Sequence, residues 1–79
     1  MSIEALKGFF DVGIKLEKTS QVSVEFYDVI GNLILKTGEV TMSSGTHTKR
    51  INTSGLSNGV YLVRVITGEG TITSRAILY

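Results

Sequence analysis

The apolar residues of this chain recur every second position. Phe10, Val12, Ile14 and Leu16 alternate with Asp11, Gly13, Lys15 and Glu17. The same period returns at Val22, Val24 and Phe26, set against Ser23, Glu25 and Tyr27. Successive side chains of an extended chain point to opposite faces, so each segment reads as a strand with one buried and one wetted face. A helix would need a period near 3.6. The one helix-like stretch, "IEALKG", is too short to stand alone. The polar break "LEKTSQ" between the two alternating segments suggests an antiparallel hairpin.

Turn signals divide the rest of the chain. In "DVIGN", Gly31 and Asn32 tolerate positive φ, and Asp28 can accept a hydrogen bond from a nearby backbone N–H. "LILK" is the next strand, continuing through "EVTM". "SSGTH" is a loop. "THTKRIN" is polar at most positions, with Ile51 its inward residue, and it suits an edge or a solvent-facing strand. Asn58-Gly59 closes the bend "TSGLSNG", and "VYLVRVI" follows as the most apolar, central strand. Arg64 marks its wetter face, which turns Tyr61, Val63 and Val65 inward. "TGEG" is a hairpin loop whose two glycines supply φ > 0, and "TITSRAIL" closes the chain. The expected core is Phe10, Val12, Ile14, Leu16, Val22, Val24, Phe26, Leu33, Leu35, Ile51, Leu56, Tyr61, Val63 and Val65. About six short strands, or seven if "IEAL" pairs, spaced by turns imply an all-β sandwich or barrel.

Length and composition narrow the role. At 79 residues this is one domain, and with no cysteine the core must come from the 42% of hydrophobic residues. The absence of proline leaves the sheet edges to be guarded by charge or bulges. A net charge of +1, with Lys49-Arg50 the sole adjacent basic pair, gives no clustered basic face for nucleic acid. No run approaches the ~18 apolar residues of a membrane span. The opening "MSIEALKGFF" lacks the basic-then-apolar order of a signal peptide. Residues 1–7 are therefore expected to be a linker remnant or an artificial start, and residues 8–79 the domain.

No constellation for catalysis emerges. His47 is the only histidine, in a polar strand and without companions for a metal. The acids Glu4, Asp11, Glu17, Glu25, Asp28, Glu39 and Glu69 are scattered singly, with no pair marked out for glycoside chemistry. There is no G-x-S-x-G and no P-loop, and a hairpin explains "TGEG" fully. "NTS" at Asn52 is a glycosylation sequon in form only. The expectation is a non-enzymatic domain without metal or cofactor.

Three stretches carry a resemblance. "VSVEFYDVIGNLIL" is similar to a V-x-V-x-x-Y-D-x-x-G-x-x-V segment. "GTH", then "INTSGLSNGVYLVRVITGEG", is similar to G-x-H…D-x-S-x-L-x-x-G-x-Y-x-V-x-I…G. "GFFDVGIKLE" resembles a strand that follows a proline-rich opening. In order and spacing these resemble the C-terminal sorting domain of cargo proteins of the Bacteroidetes type IX secretion system, over roughly residues 8 to 79. The resemblance places the family's motif positions at Tyr27, Asp28, Gly31, Gly59 and Tyr61. It implies an Ig-like antiparallel β-sandwich carried by a cargo protein whose precursor has its own signal peptide. The domain would be read in the periplasm by the outer-membrane translocon. A sortase would then act, leaving the cargo at the cell surface or secreted. The chain departs from the family in having no Y-P-N-P opening and only Arg75, rather than spaced lysines, in its last strand.

Gly59 lets the chain turn without a Cβ clash, and Tyr61 can bury its ring while its hydroxyl reaches a backbone group, as a tyrosine corner does. Phe26 and Tyr27, adjacent in sequence, point to opposite faces, and Tyr27 would cover the second face of its sheet or, as the alternative, serve as a surface contact. Candidates for a recognition surface are Lys49, Arg50, Arg64 and Arg75. The rival reading is an Ig-like or fibronectin-like spacer or adhesion module that binds carbohydrate or protein. An unpaired sheet edge would permit weak self-association.

Overall fold

The computed structural model describes residues 1–79 and contains strands but no helix. There are eight: β1 (Ser2–Leu6), β2 (Phe9–Leu16), β3 (Ser20–Asp28), β4 (Leu33–Lys36), β5 (Val40–Met42), β6 (Gly45–Asn52), β7 (Gly59–Thr67) and β8 (Gly70–Leu78). They form two antiparallel sheets. One has three strands in the order β1-β2-β6; the other has five, in the order β4-β3-β7-β8 with β5 also pairing β3.

The two sheets bury their alternating rows against each other. Phe10, Val12, Ile14, Leu16 and Ile51 come from the smaller sheet. Val22, Val24, Phe26, Tyr61, Val63, Val65, Ala76 and Leu78 come from the larger. Phe10 stacks on Phe26 across the gap, ring centroids 5.4 Å apart. That contact corrects the expected hairpin, because β2 and β3 lie in opposite sheets. Identical alternation suits both arrangements. Side by side, the buried rows would point the same way; here they face each other, and "LEKTSQ" crosses between sheets. Glu69 on the β7–β8 turn braces the crossing by accepting the backbone N–H groups of Glu17 and Lys18 at 2.9 and 3.1 Å.

Four further expectations are revised. The "IEAL" segment, kept outside the domain as a linker remnant but allowed as a seventh strand, is β1 and pairs with β2 from Ser2↔Gly13 to Leu6↔Phe9. Leu33 is 51% exposed rather than core. The register slips between Phe26 and Tyr27, so Leu35 meets inward Phe26 while Leu33 meets outward Tyr27. Ala76 and Leu78 join the core in its place, since β8 lies beside β7 with Ala76 opposite Tyr61 and Leu78 opposite Gly59. In the β7–β8 turn only Gly70 has positive φ, at 132°. Gly68 serves close approach instead: a Cβ there would sit 2.8 Å from the Ser20 hydroxyl oxygen, which accepts the Gly68 N–H at 2.6 Å.

Candidate functional site

Two loops meet at one end of the larger sheet. β3 ends at Asp28 and β7 begins at Gly59. The two strands are neighbours, with Asp28 opposite Tyr61 and Tyr27 opposite Leu62. The Tyr27-Asp28-Gly31 and Gly59-Tyr61 elements, about thirty residues apart in sequence, therefore form one structural unit.

The Asp28 turn is closed by its own side chain. Oδ1 accepts the N–H groups of Ile30 (3.1 Å) and Asn32 (2.9 Å), and Oδ2 accepts the Asn32 side-chain amide at 3.0 Å. The Gly31 N–H bonds to the Asp28 carbonyl, and the Asp28 N–H to the Asn32 carbonyl. Gly31, at φ 95°, makes the return possible. Hydrogen bonds to the charged form hold the Asp28 carboxyl below its ordinary value, the Asn32 N–H contributing most.

The second loop is built by Asn52 and Tyr61. Asn52 Oδ1 accepts both the N–H and the hydroxyl of Ser54, an Asx turn that opens the bend. The Thr53 N–H reaches the Gly8 carbonyl and so ties this loop to the β1–β2 turn of the other sheet. Tyr61 is buried, and its hydroxyl donates to the Ser57 carbonyl at 2.5 Å. Gly59 has φ 151°, and a Cβ built on it would meet nothing within 4 Å. Its requirement is one of backbone conformation, not of space. The Asx turn went unread in the sequence, although Asn-x-Ser at a strand end carries its signal.

Apolar side chains crown this end. Ile30 is 80% exposed and Val29 is also exposed, both at the tip of the Asp28 turn. Leu33, Ile77 and Tyr79 are exposed as well. Sequence reasoning passed over Val29 and Ile30 because they sit in a turn. Two β-branched apolar residues at a tip where Asp28, Gly31 and Asn32 do the folding are themselves a signal of contact.

The four basic candidates are not brought together. Lys49 lies opposite Val12 on the core-facing row of edge strand β6, whereas Arg50 points to the outer face. There Arg50 makes a two-pronged pair with Asp11 at 2.9 and 3.1 Å, and its guanidinium lies 3.8 Å from the Phe9 ring centre. The pairing lowers the Asp11 pKa and raises that of Arg50. Arg64 belongs to the outer face of the larger sheet, over the Tyr27 ring at 5.4 Å and 4.0 Å from Glu25. Glu25 is only 8% exposed, accepts the Tyr27 hydroxyl at 2.7 Å and lies 3.8 Å from Lys36. That hydrogen bond raises the Tyr27 pKa. Arg75, opposite Leu62, is exposed and forms no ion pair.

An all-β sandwich whose strand ends carry paired Y-D-x-x-G and G-x-Y elements defines the class: a small β-domain built around two braced loops at one end. Residues 7–79 match the secretion system C-terminal sorting domain family, and the chain belongs to it. It is accordingly a type IX secretion sorting signal, which works with that machinery on behalf of an attached cargo and directs export to the cell surface or the medium. Neither the curated proteins nor the solved structures include a match.

Proposed function

We propose that the type IX translocon reads the folded loop end of this domain as the export signal and that the domain does no chemistry itself. One observation carries the reading: Asp28 stands opposite Tyr61, so both motif elements hold a single surface in shape. The internal hydrogen bonds of Asp28, Asn52 and Tyr61 leave these groups little to offer a partner. They brace the surface, and Val29 and Ile30 present it. Arg75, the one unpaired arginine of the outer face, adds a charge that can steer the encounter. The precursor enters the periplasm by its own signal peptide, the translocon takes the folded domain, and a sortase acts on the exported cargo.

The test is a periplasmic reporter fused ahead of residues 1–79 in a type IX-competent bacterium. The wild-type fusion reaches the surface. Val29→Ser with Ile30→Ser keeps the fold, since both are exposed, but sharply reduces export; Arg75→Glu reduces it less. Suppose the wild-type fusion stays in the periplasm while an established sorting domain on the same reporter is exported. The sorting reading then fails, and the spacer or adhesion reading replaces it. Normal export of the turn variant would move the recognition surface elsewhere on the domain.

A further inference from the structure

The four sheet edges are not equally protected. β1 is five residues long. β6 turns Lys49 toward the core side of its edge, a placement that discourages another strand from pairing there. The β4–β5 edge is interrupted between Lys36 and Val40, where the Thr37 hydroxyl takes the place of a ladder partner by accepting the Val24 N–H at 2.9 Å. β8 has none of these devices. It runs nine residues without proline or register shift and carries one charge, Arg75.

Which backbone groups of β8 are free follows from its hairpin. Thr67 and Gly70 flank a two-residue turn and form its closing pair. Bonding to β7 then alternates along the strand, through Ile72, Ser74 and Ala76. The N–H and C=O groups of Thr71, Thr73, Arg75 and Ile77 face away from β7, and no backbone bond outside the ladders engages them. A second sign lies at Ile72. It opposes buried Val65 on the core-facing row, yet it is 54% exposed because no strand of its own sheet lies beyond it; β1 of the other sheet approaches β8 without pairing with it.

We propose that this edge pairs antiparallel with the β8 edge of a second copy, about a two-fold axis at Ser74, joining two five-stranded sheets into one. This register uses all nine residues of both strands. Thr73 then faces Arg75 of the second copy, and Thr71 faces Ile77, each through outward backbone groups. Ile72 gains Ala76 of the second copy as its missing neighbour. Shifting the axis to Arg75 would set two arginines directly opposite, which is unfavourable. The contact is isologous and closes at two copies. It does not rest on the sorting role: a monomer in solution would leave the export result untouched, and failed export would leave the dimer untouched.

Light scattering and sedimentation of residues 1–79 up to millimolar protein provide the test. The wild type passes from monomer to dimer with concentration. Thr73→Pro removes an N–H that faces the open edge and no bond of the β7 ladder, so it abolishes the dimer while the circular dichroism spectrum is kept. Should that variant fold poorly, charge gives the same answer. With two Thr73–Arg75 pairs per dimer, Thr73→Glu tightens association roughly two- to thirtyfold, and Thr73→Lys weakens it comparably. Ser74→Cys forms a disulfide between copies across the axis. A chain that is monomeric throughout overturns the proposal. So does a dimer indifferent to the changes at Thr73, whose interface must then be elsewhere.

Discussion

Arg50 on the three-stranded sheet is clasped by Asp11 and lies over Phe9, while Arg75 on the five-stranded sheet faces Leu62 with no anion near it. Both belong to polar positions of alternating strands, and in sequence they look alike. Their difference comes from the strand placed alongside. β2 brings a carboxylate opposite Arg50, whereas β7 brings a leucine opposite Arg75. Arg64 falls between them, sharing Glu25 with Tyr27 and Lys36. The Asp11–Arg50 pair clasps two strands of the smaller sheet, and charge on the outer face of the larger sheet grades from buried Glu25 to free Arg75.

The comparison can be broken most forcefully where the two sheets touch. Phe26→Ala removes the ring that stacks on Phe10 and should cost about 3–5 kcal/mol, enough to threaten so small a domain. Chemical denaturation reads the change, and an unmoved midpoint would deny Phe26 its place between the sheets.

Next in size is the strand entry of the motif end. At φ 151°, Gly59 lies outside the left-handed region near +57° that asparagine tolerates. The sequence alone suggests that Gly59→Asn would be milder than Gly59→Val. The observed angle corrects this: both should destabilise comparably, by about 1–3 kcal/mol, because the strain is in the backbone and a Cβ there is unobstructed. A clearly milder asparagine variant would place Gly59 in the left-handed region instead.

Acid acts on both sheets at once. Asp11 and Asp28 have pKa values lowered from 3.8 in the folded chain, by Arg50 and by the Asn32 N–H respectively. A depressed folded pKa contributes stability that is fully present above the unfolded value and is lost as pH falls through the folded one. Stability should therefore be level in this respect above about pH 5 and decline below about pH 4, as carboxylates that fold in their charged form take up protons. Asp28→Asn should flatten part of that decline in a series of pH-dependent melts. An unchanged profile would show the turn to be indifferent to the Asp28 charge.

The smallest effect sharpens the comparison itself. Arg75→Glu should leave the melting temperature nearly unchanged, since exposed, unpartnered substitutions usually cost under about 0.5 kcal/mol. Arg50→Glu should lower it visibly, because it sets two carboxylates opposite each other and removes the cover over Phe9. Equal melting temperatures would erase the distinction between the two faces.

Much of this protein was legible in the chain. Two-residue alternation fixed the inward rows of β2, β3 and β7, because a buried face selects every second side chain. Asp28, Gly31 and the Asn58-Gly59 step announced their turns, since few residues accept those backbone angles or close them locally. The ordered motifs placed the chain in its family. What the chain could not fix depended on which strands came to lie together. Alternation serves a hairpin and a facing pair equally, so the passage of β2 and β3 into opposite sheets was decided by Phe10 packing on Phe26. One slipped register turned Leu33 outward. Lys49 and Arg50, adjacent in sequence, were sent to opposite faces of β6, and only Arg50 gained a carboxylate. Neighbours along a strand are set by the sequence; neighbours across a sheet or between sheets exist only after folding, and they decide which charge is held and which is left free.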